Sequence, residues 1–307
     1  MELGLQGDGG GQVGAEAFTN LTREPHDLDE ARAALSQLPP PVVIFNKSHS
    51  GSRLLASLVE ASGCFMGNDR NESQDGLHVF ELVQYVVEKY YPDFSRLWHG
   101  EGREDTALAR LAVSVFRDHL AGFHGRSWGW KLCETTYILP LVDRLFPQAR
   151  YLHLVRDGRD VAFSNHRPPD SPFWQKIYAD AVRLRRWRGL WYGKMARVGY
   201  ALDPVLYNAQ HWVNSVSVGR HFGAMLGHRC LEVRYEDLCL DFEPQARRIL
   251  DFIEAPAAQA AIDAVSPTVR RDAVGKYRNR SRLQVWRVQR YAKPLLIALG
   301  YLDRRRR

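Results

Sequence analysis

The chain has 307 residues, 45% of them hydrophobic, with 42 Lys and Arg against 35 Asp and Glu. That length gives one large α/β domain or two small ones with a sizeable core, and the net charge of +7 suits an anionic ligand: nucleotide, phosphate, sulfate, nucleic acid or anionic lipid. No apolar run reaches the roughly 18 residues that a membrane-spanning helix needs, and the four cysteines, at 64, 133, 230 and 239, have neither metal-ligand spacing nor the density of a disulfide scaffold.

Residues 1–36 read as a disordered or loosely ordered extension, Gly-rich at its start. Within it, Asp27 to Leu35 has the spacing of a short helix ahead of Pro39, Pro40 and Pro41. The N-terminus lacks the basic and apolar segments of a signal peptide, so a cytoplasmic location is expected. A single domain is predicted over 37–303, followed by a basic tail at 304–307.

Val42 to Phe45 is an unbroken, largely β-branched run, the pattern of a strand buried on both faces. A polar loop follows, then Leu54 to Val59 in helical spacing. Trp128 to Lys131 reads as a short strand. Residues 136–146 form a helical pattern stopped by Pro147, and Arg150 to Val155 is the next strand. Asp157 opens another helix. Cys230 to Arg234 is a further strand, with helical spacing through Ile249, Phe252 and Ile253 after it. Longer helical patterns fill 79–91, 105–122, 174–195 and 205–226. Strands alternating with helices predict an α/β fold with a doubly wound, mostly parallel sheet.

Two strand-to-helix turns carry the chemistry. The first is Asn46-Lys47-Ser48-His49-Ser50-Gly51-Ser52-Arg53. Small residues let backbone N–H groups converge on a phosphate, and the helix presents its positive end. Ser50 and Ser52 add hydroxyls; Lys47, His49 and Arg53 add cationic or hydrogen-bonding groups. The loop is not a Walker A motif, because it has no Gly-Lys pair and no Ser/Thr placed to hold magnesium. In the second turn a strand ends in Arg156, and Ser164 stands eight residues on. An arginine there can fork onto a phosphate while the hydroxyl donates from the same helix.

These stretches resemble the PAPS-dependent sulfotransferases, where PAPS is 3′-phosphoadenosine 5′-phosphosulfate. His49-Ser50-Gly51-Ser52-Arg53-Leu54-Leu55 resembles their 5′-phosphosulfate loop. Arg156 to Ser164, around Asp160-Val161, resembles their 3′-phosphate motif. Trp128 to Lys131 with Phe146-Pro147 resembles the bacterial-type branch, and Arg270 to Arg278 loosely resembles the late loop over the 3′-phosphate. One glycine of that loop is Asp272 here, and the position usually held by Lys or Arg is His49.

The resemblance implies a P-loop NTPase-like sulfotransferase fold. It implies metal-independent, in-line transfer of a sulfuryl group from PAPS to a hydroxyl or amine of a small-molecule, carbohydrate or peptide acceptor. Ser50, Gly51, Ser52, Arg53, Arg156, Ser164, Arg270, Arg271 and Gly275 would hold the donor. His49, then Lys47 or Lys131, would stabilise the leaving group. Glu72, with Asp75 in reserve, would be the base by analogy with the tyrosyl-protein branch. Trp174, Trp187, Trp191, Trp212, Tyr178 and Tyr192 are acceptor-stacking or core aromatics, and Arg183 to Arg188 is a basic cluster. Two enzyme-free or different-enzyme readings stand beside this one: a degenerate relative that only binds nucleotide, and a P-loop small-molecule kinase. No nucleic-acid-binding motif is present.

Overall fold

The computed structural model describes residues 21, 24–91, 93–164 and 201–303. Four strands, β1 (Val42–Asn46), β2 (Gly129–Lys131), β3 (Arg150–Val155) and β4 (Cys230–Arg234), form a parallel sheet in the order β2-β1-β3-β4. Alternate strand residues point to opposite faces. Val43, Phe45 and Tyr151 therefore enter one apolar layer, while Val42, Ile44, Leu152 and Leu154 enter the other.

The first layer is covered by α1 (Leu28–Leu35), α3 (Leu77–Tyr90), α4 (Thr106–His119) and α5 (Leu139–Leu145). The second is covered by α2 (Ser52–Ala61), α8 (Tyr235–Leu240), α9 (Phe242–Phe252) and α10 (Ala258–Val265). Short α6 (Gly158–Ala162) follows β3 and packs with long α7 (Pro204–Leu226) and α11 (Arg282–Ala298). Helices on both faces of a parallel sheet make the predicted doubly wound α/β architecture.

Chain order explains where a site must lie. The connection after β1 runs to β2 on one side, and the next returns past β1 to β3 on the other. The loops leaving β1 and β3 thus part at the strands' C-terminal ends, the place where such sheets bind ligands.

The boundary expected at residue 37 is too late. Asp27 caps α1 by accepting from the Asp29 and Glu30 amides, and Leu28, Ala31 and Leu35 are wholly buried against α4 and α5. Their i, i+3, i+7 spacing buries one face, so this helix belongs to the domain. Helix α11 was not among the predicted elements. Its apolar stripe of Val288, Ala292 and Leu296 is interrupted in sequence by arginines and by Pro294. The helix predicted over 174–195 and the aromatics and arginines on it lie outside the described residues.

Gly129 illustrates how tightly the sheet is drawn. A Cβ there would stand 2.0 Å from the Val42 carbonyl oxygen, which is backbone and cannot yield. Gly129→Ala is expected to destabilise the fold by about 3 kcal/mol, read as a lower denaturation midpoint with an unchanged slope.

Candidate active site

Strand β1 ends in the 47–51 loop, and the loop opens α2. His49 and Gly51 both adopt left-handed backbone, with φ of 67° and 84°. Glycine takes that conformation without penalty; histidine does so at a cost of roughly 1 kcal/mol or more, and such strain concentrates at functional sites. Gly51 is further required by packing. A Cβ on it would meet the Tyr235 ring at 2.2 Å. The first amides of α2 lack intrahelical acceptors, and the helix adds its positive end.

Strand β3 ends one strand away. Arg156 lies at its tip, with its guanidinium 4.7 Å from the centre of the Tyr235 ring. It donates to the His49 carbonyl (3.3 Å) and to the Ala273 carbonyl (2.5 Å), so it ties the first loop to the late loop. Its buried Nε has no hydrogen-bond partner among the described residues. Ser164 donates to the Val161 carbonyl, and Trp212, wholly buried, donates its indole N–H to the Arg156 carbonyl. The ring at 212 is a core aromatic that supports Arg156.

These turns share one cleft of about 840 Å³. Ser48, His49, Gly51, Ser52 and Arg53 line it from the first loop. Arg156, Asp160 and Ser164 line it from the second, and Arg270, Lys276, Tyr277 and Arg280 from the late segment. Lys131 reaches the same cleft from the end of β2, beside Ser73 and Asp75. Five of these are Lys or Arg from elements other than α2, so the cleft concentrates positive charge where the two loops meet.

The remaining predicted residues lie elsewhere. Lys47 and Ser50 are buried beneath the first loop rather than in the cleft wall. The Lys47 ammonium donates to the Ser48 carbonyl and hydroxyl, both at 3.3 Å. Burial pushes its pKa down to about 8, a shift opposed by Cys133 and Glu134. The Ser50 hydroxyl is buried without a hydrogen-bond partner among the described residues. Glu72 is exposed on the turn before α3 and does not line the cleft. Arg271 is likewise exposed and outside the wall. Gly275 contributes through its backbone, donating to Asp160.

His49 is exposed by area yet ringed by cleft walls. Desolvation, reinforced by the like charges of Lys47 and Arg156, pushes its imidazole below the ordinary value of 6.5. Lys131 is only 2% exposed and is engaged by the Asp75 carboxylate (2.7 Å) and the Ser73 carbonyl (2.5 Å).

A family model described as "Sulfotransferase family" matches residues 41–259. The chain belongs to the sulfotransferase family. Its match runs through both turns and the strands that carry them. Solved structures similar to this sulfotransferase include the "Sulfotransferase Domain from the Curacin Biosynthetic Pathway" (15% identity, TM-score 0.46, 83% of this chain and 98% of that one). A second is sulfotransferase STF9 from Mycobacterium avium (10% identity, TM-score 0.45, 94% and 84% covered). A third is the sulfotransferase domain of the Synechococcus PCC 7002 olefin synthase (16%, 0.42, 83% and 95%). No curated protein matches the chain.

Two residues of this sulfotransferase escaped the sequence reading. Tyr235 is not among the site residues expected from sequence, yet its ring walls the cleft, blocks any side chain at 51 and stacks on Arg156. Glu134 follows Cys133, a cleft residue, three positions after Lys131. It is partly exposed, but its surroundings desolvate it and Asp75 adds like charge, so its carboxyl is pushed up to about 7. Lys47 and Lys131 pull the other way. The Trp-Lys-x-x-Glu spacing is a local signal, but the shift comes from burial and from Asp75, 59 positions upstream. Among the described residues no group of His, Cys, Asp and Glu could hold a metal ion, and no helix is long and apolar enough to cross a membrane.

Proposed function

We propose that this sulfotransferase takes its sulfuryl group from PAPS and passes it to a hydroxyl or amine acceptor. The observation that carries the reading is the single cleft shared by the 48–53 loop and the Arg156–Ser164 turn. One grips the 5′ end of a doubly phosphorylated adenosine, and the other grips its 3′-phosphate. The Nε of Arg156, unpartnered among the described residues, and the positive end of α2 suit such an anion.

In the transfer, the acceptor oxygen or nitrogen attacks sulfur in line with the bridging oxygen. The S–O bond to the 5′-phosphate breaks, 3′-phosphoadenosine 5′-phosphate leaves with the electron pair, and the acceptor proton goes to a base. Fixed donors at the loop stabilise the charge on the leaving oxygen. An incoming dianion restores the proton that desolvation, Lys47 and Arg156 disfavour on His49. Lys131, fixed by Asp75, is the second cation.

Glu134 is the proposed proton acceptor. Glu134 does not itself line the cleft, but it adjoins Cys133, which does. A base works best when its pKa sits near the working pH, where burial and Asp75 push Glu134 up to about 7. Asp75 is committed to Lys131, and Glu72 faces solvent. The acceptor is a small molecule, a carbohydrate or a peptide, and the proposed location is the cytoplasm.

His49→Ala is expected to lower kcat by about 100-fold and to leave the affinity for 3′-phosphoadenosine 5′-phosphate within about threefold. Equal losses in both would make His49 a donor anchor instead. The donor itself is tested by thermal unfolding with 3′-phosphoadenosine 5′-phosphate, ATP with magnesium, and a DNA oligomer. Only the first should raise the midpoint, by several degrees at saturation. Turnover of sulfur-labelled PAPS against an acceptor panel then separates an enzyme from a nucleotide binder. That second reading draws on the histidine at position 49, where relatives of this kind usually carry Lys or Arg.

A further inference from the structure

Asp160 makes contacts that its place on a short helix does not require. Its side chain is 1% exposed. One carboxylate oxygen accepts the Gly275 N–H and the other the Tyr277 N–H, each at 2.8 Å. The Gly275 acceptor oxygen also lies 3.5 Å from the Arg156 guanidinium. Arg156 in turn donates to the Ala273 carbonyl, so the late segment is held at three successive points, 273, 275 and 277. Neighbouring Arg159 is occupied elsewhere, forked onto Asp157 and lying 4.2 Å from the centre of the Tyr277 ring. Neither residue is a solvated helix face.

A carboxylate is the one common side chain that can accept two converging N–H groups and a guanidinium together. Gly275 fits the same arrangement. Its φ of 74° turns the chain so that amides 275 and 277 both face Asp160. The segment so fixed carries Lys276, Tyr277 and Arg280 into the cleft wall beside Arg156.

We propose that Asp160 is the positioning residue that locks the 273–277 segment onto Arg156 and so shapes the pocket for the donor's 3′-phosphate. This rests on the PAPS reading above. Asp160 touches neither sulfur nor acceptor; it acts by fixing backbone and guanidinium before the nucleotide arrives. Its loss therefore falls on donor affinity and spares the chemical step.

The test is D160N, which keeps size and puts an NH2 against one of the two N–H groups. Amide exchange at Gly275 and Tyr277 should accelerate while the β1 and β3 amides stay protected. Affinity for 3′-phosphoadenosine 5′-phosphate should fall about 10-fold or more. KM for the donor should rise in step, with kcat at saturating donor within about threefold of wild type. Should D160N fail to fold, Gly275→Ala strains the left-handed turn that aims amides 275 and 277 at Asp160 while leaving every cleft side chain in place, and the same readouts apply. A variant that binds nucleotide as the wild type does, or whose 275 and 277 amides exchange no faster, overturns the proposal. A kcat loss without a KM change overturns it too. If the wild-type protein itself ignores the nucleotide, the donor reading falls and this inference falls with it; binding by wild type and variant alike sinks the inference alone.

Discussion

Replacing Arg156 with alanine should weaken 3′-phosphoadenosine 5′-phosphate binding by about 100-fold. The reasoning is energetic. Two charge-assisted hydrogen bonds to one phosphate are worth about 3 kcal/mol together after solvation is offset, and each 1.4 kcal/mol is about tenfold. The guanidinium is already aimed and half-desolvated, packed on Tyr235 and hydrogen-bonded to the carbonyls of His49 and Ala273. Pre-ordering of this kind keeps the entropic cost of binding low. Arg156→Lys keeps the charge and loses the fork, so it should recover only part of the affinity. Isothermal titration with the product nucleotide checks both, with melting of the unliganded variants as the control for folding. Unchanged affinity in the alanine variant would remove the second phosphate grip from the scheme.

The second large effect is expected at Glu134. Glu134→Gln should lower kcat/KM by about 100-fold or more, since a positioned base contributes roughly 10²–10⁴ to rate. The pH profile is the sharper readout. The carboxyl must be deprotonated to accept the acceptor's proton, so wild-type kcat at saturating donor, where the donor's charge keeps His49 protonated, should climb through pH 7 and level off above it. Above about pH 8 Lys47 loses its charge beneath the loop, and activity should fall again. In E134Q the acid limb should vanish while any fall above pH 8 remains. A variant that keeps the full acid limb would reassign the base.

Much of the architecture was written in local pattern. The runs at 42–45 and 150–155 announce buried strands because nothing polar interrupts them, and both pair in the sheet's centre. The Arg156 and Ser164 spacing and the small-residue loop at 48–53 marked two turns that the structure brings to one cleft. What stayed hidden depends on distance in the chain. Tyr235 reaches the cleft only because β4 lies beside β3, which no window of sequence reveals. Glu134 acquires its raised carboxyl from desolvation and from Asp75, against the pull of Lys47 and Lys131. Asp160 looked like part of a motif and proved to be bonded to backbone 115 and 117 residues away. The misplaced start of the domain has another cause: a Gly-rich leader drew attention from three apolar residues that bury one face of α1.

The neighbouring placement of β1 and β3 has an outcome for selectivity. Hydrogen-bonded strands stand about 4.8 Å apart, and the two anion grips spring from the same end of such a pair. That interval belongs to the backbone, so no exchange of cleft side chains can stretch it. Under the proposed PAPS reading, the sheet works as a fixed gauge for the separation between the donor's charged ends. Natural variation can then redraw the side chains of the cleft wall without recalibrating the gauge.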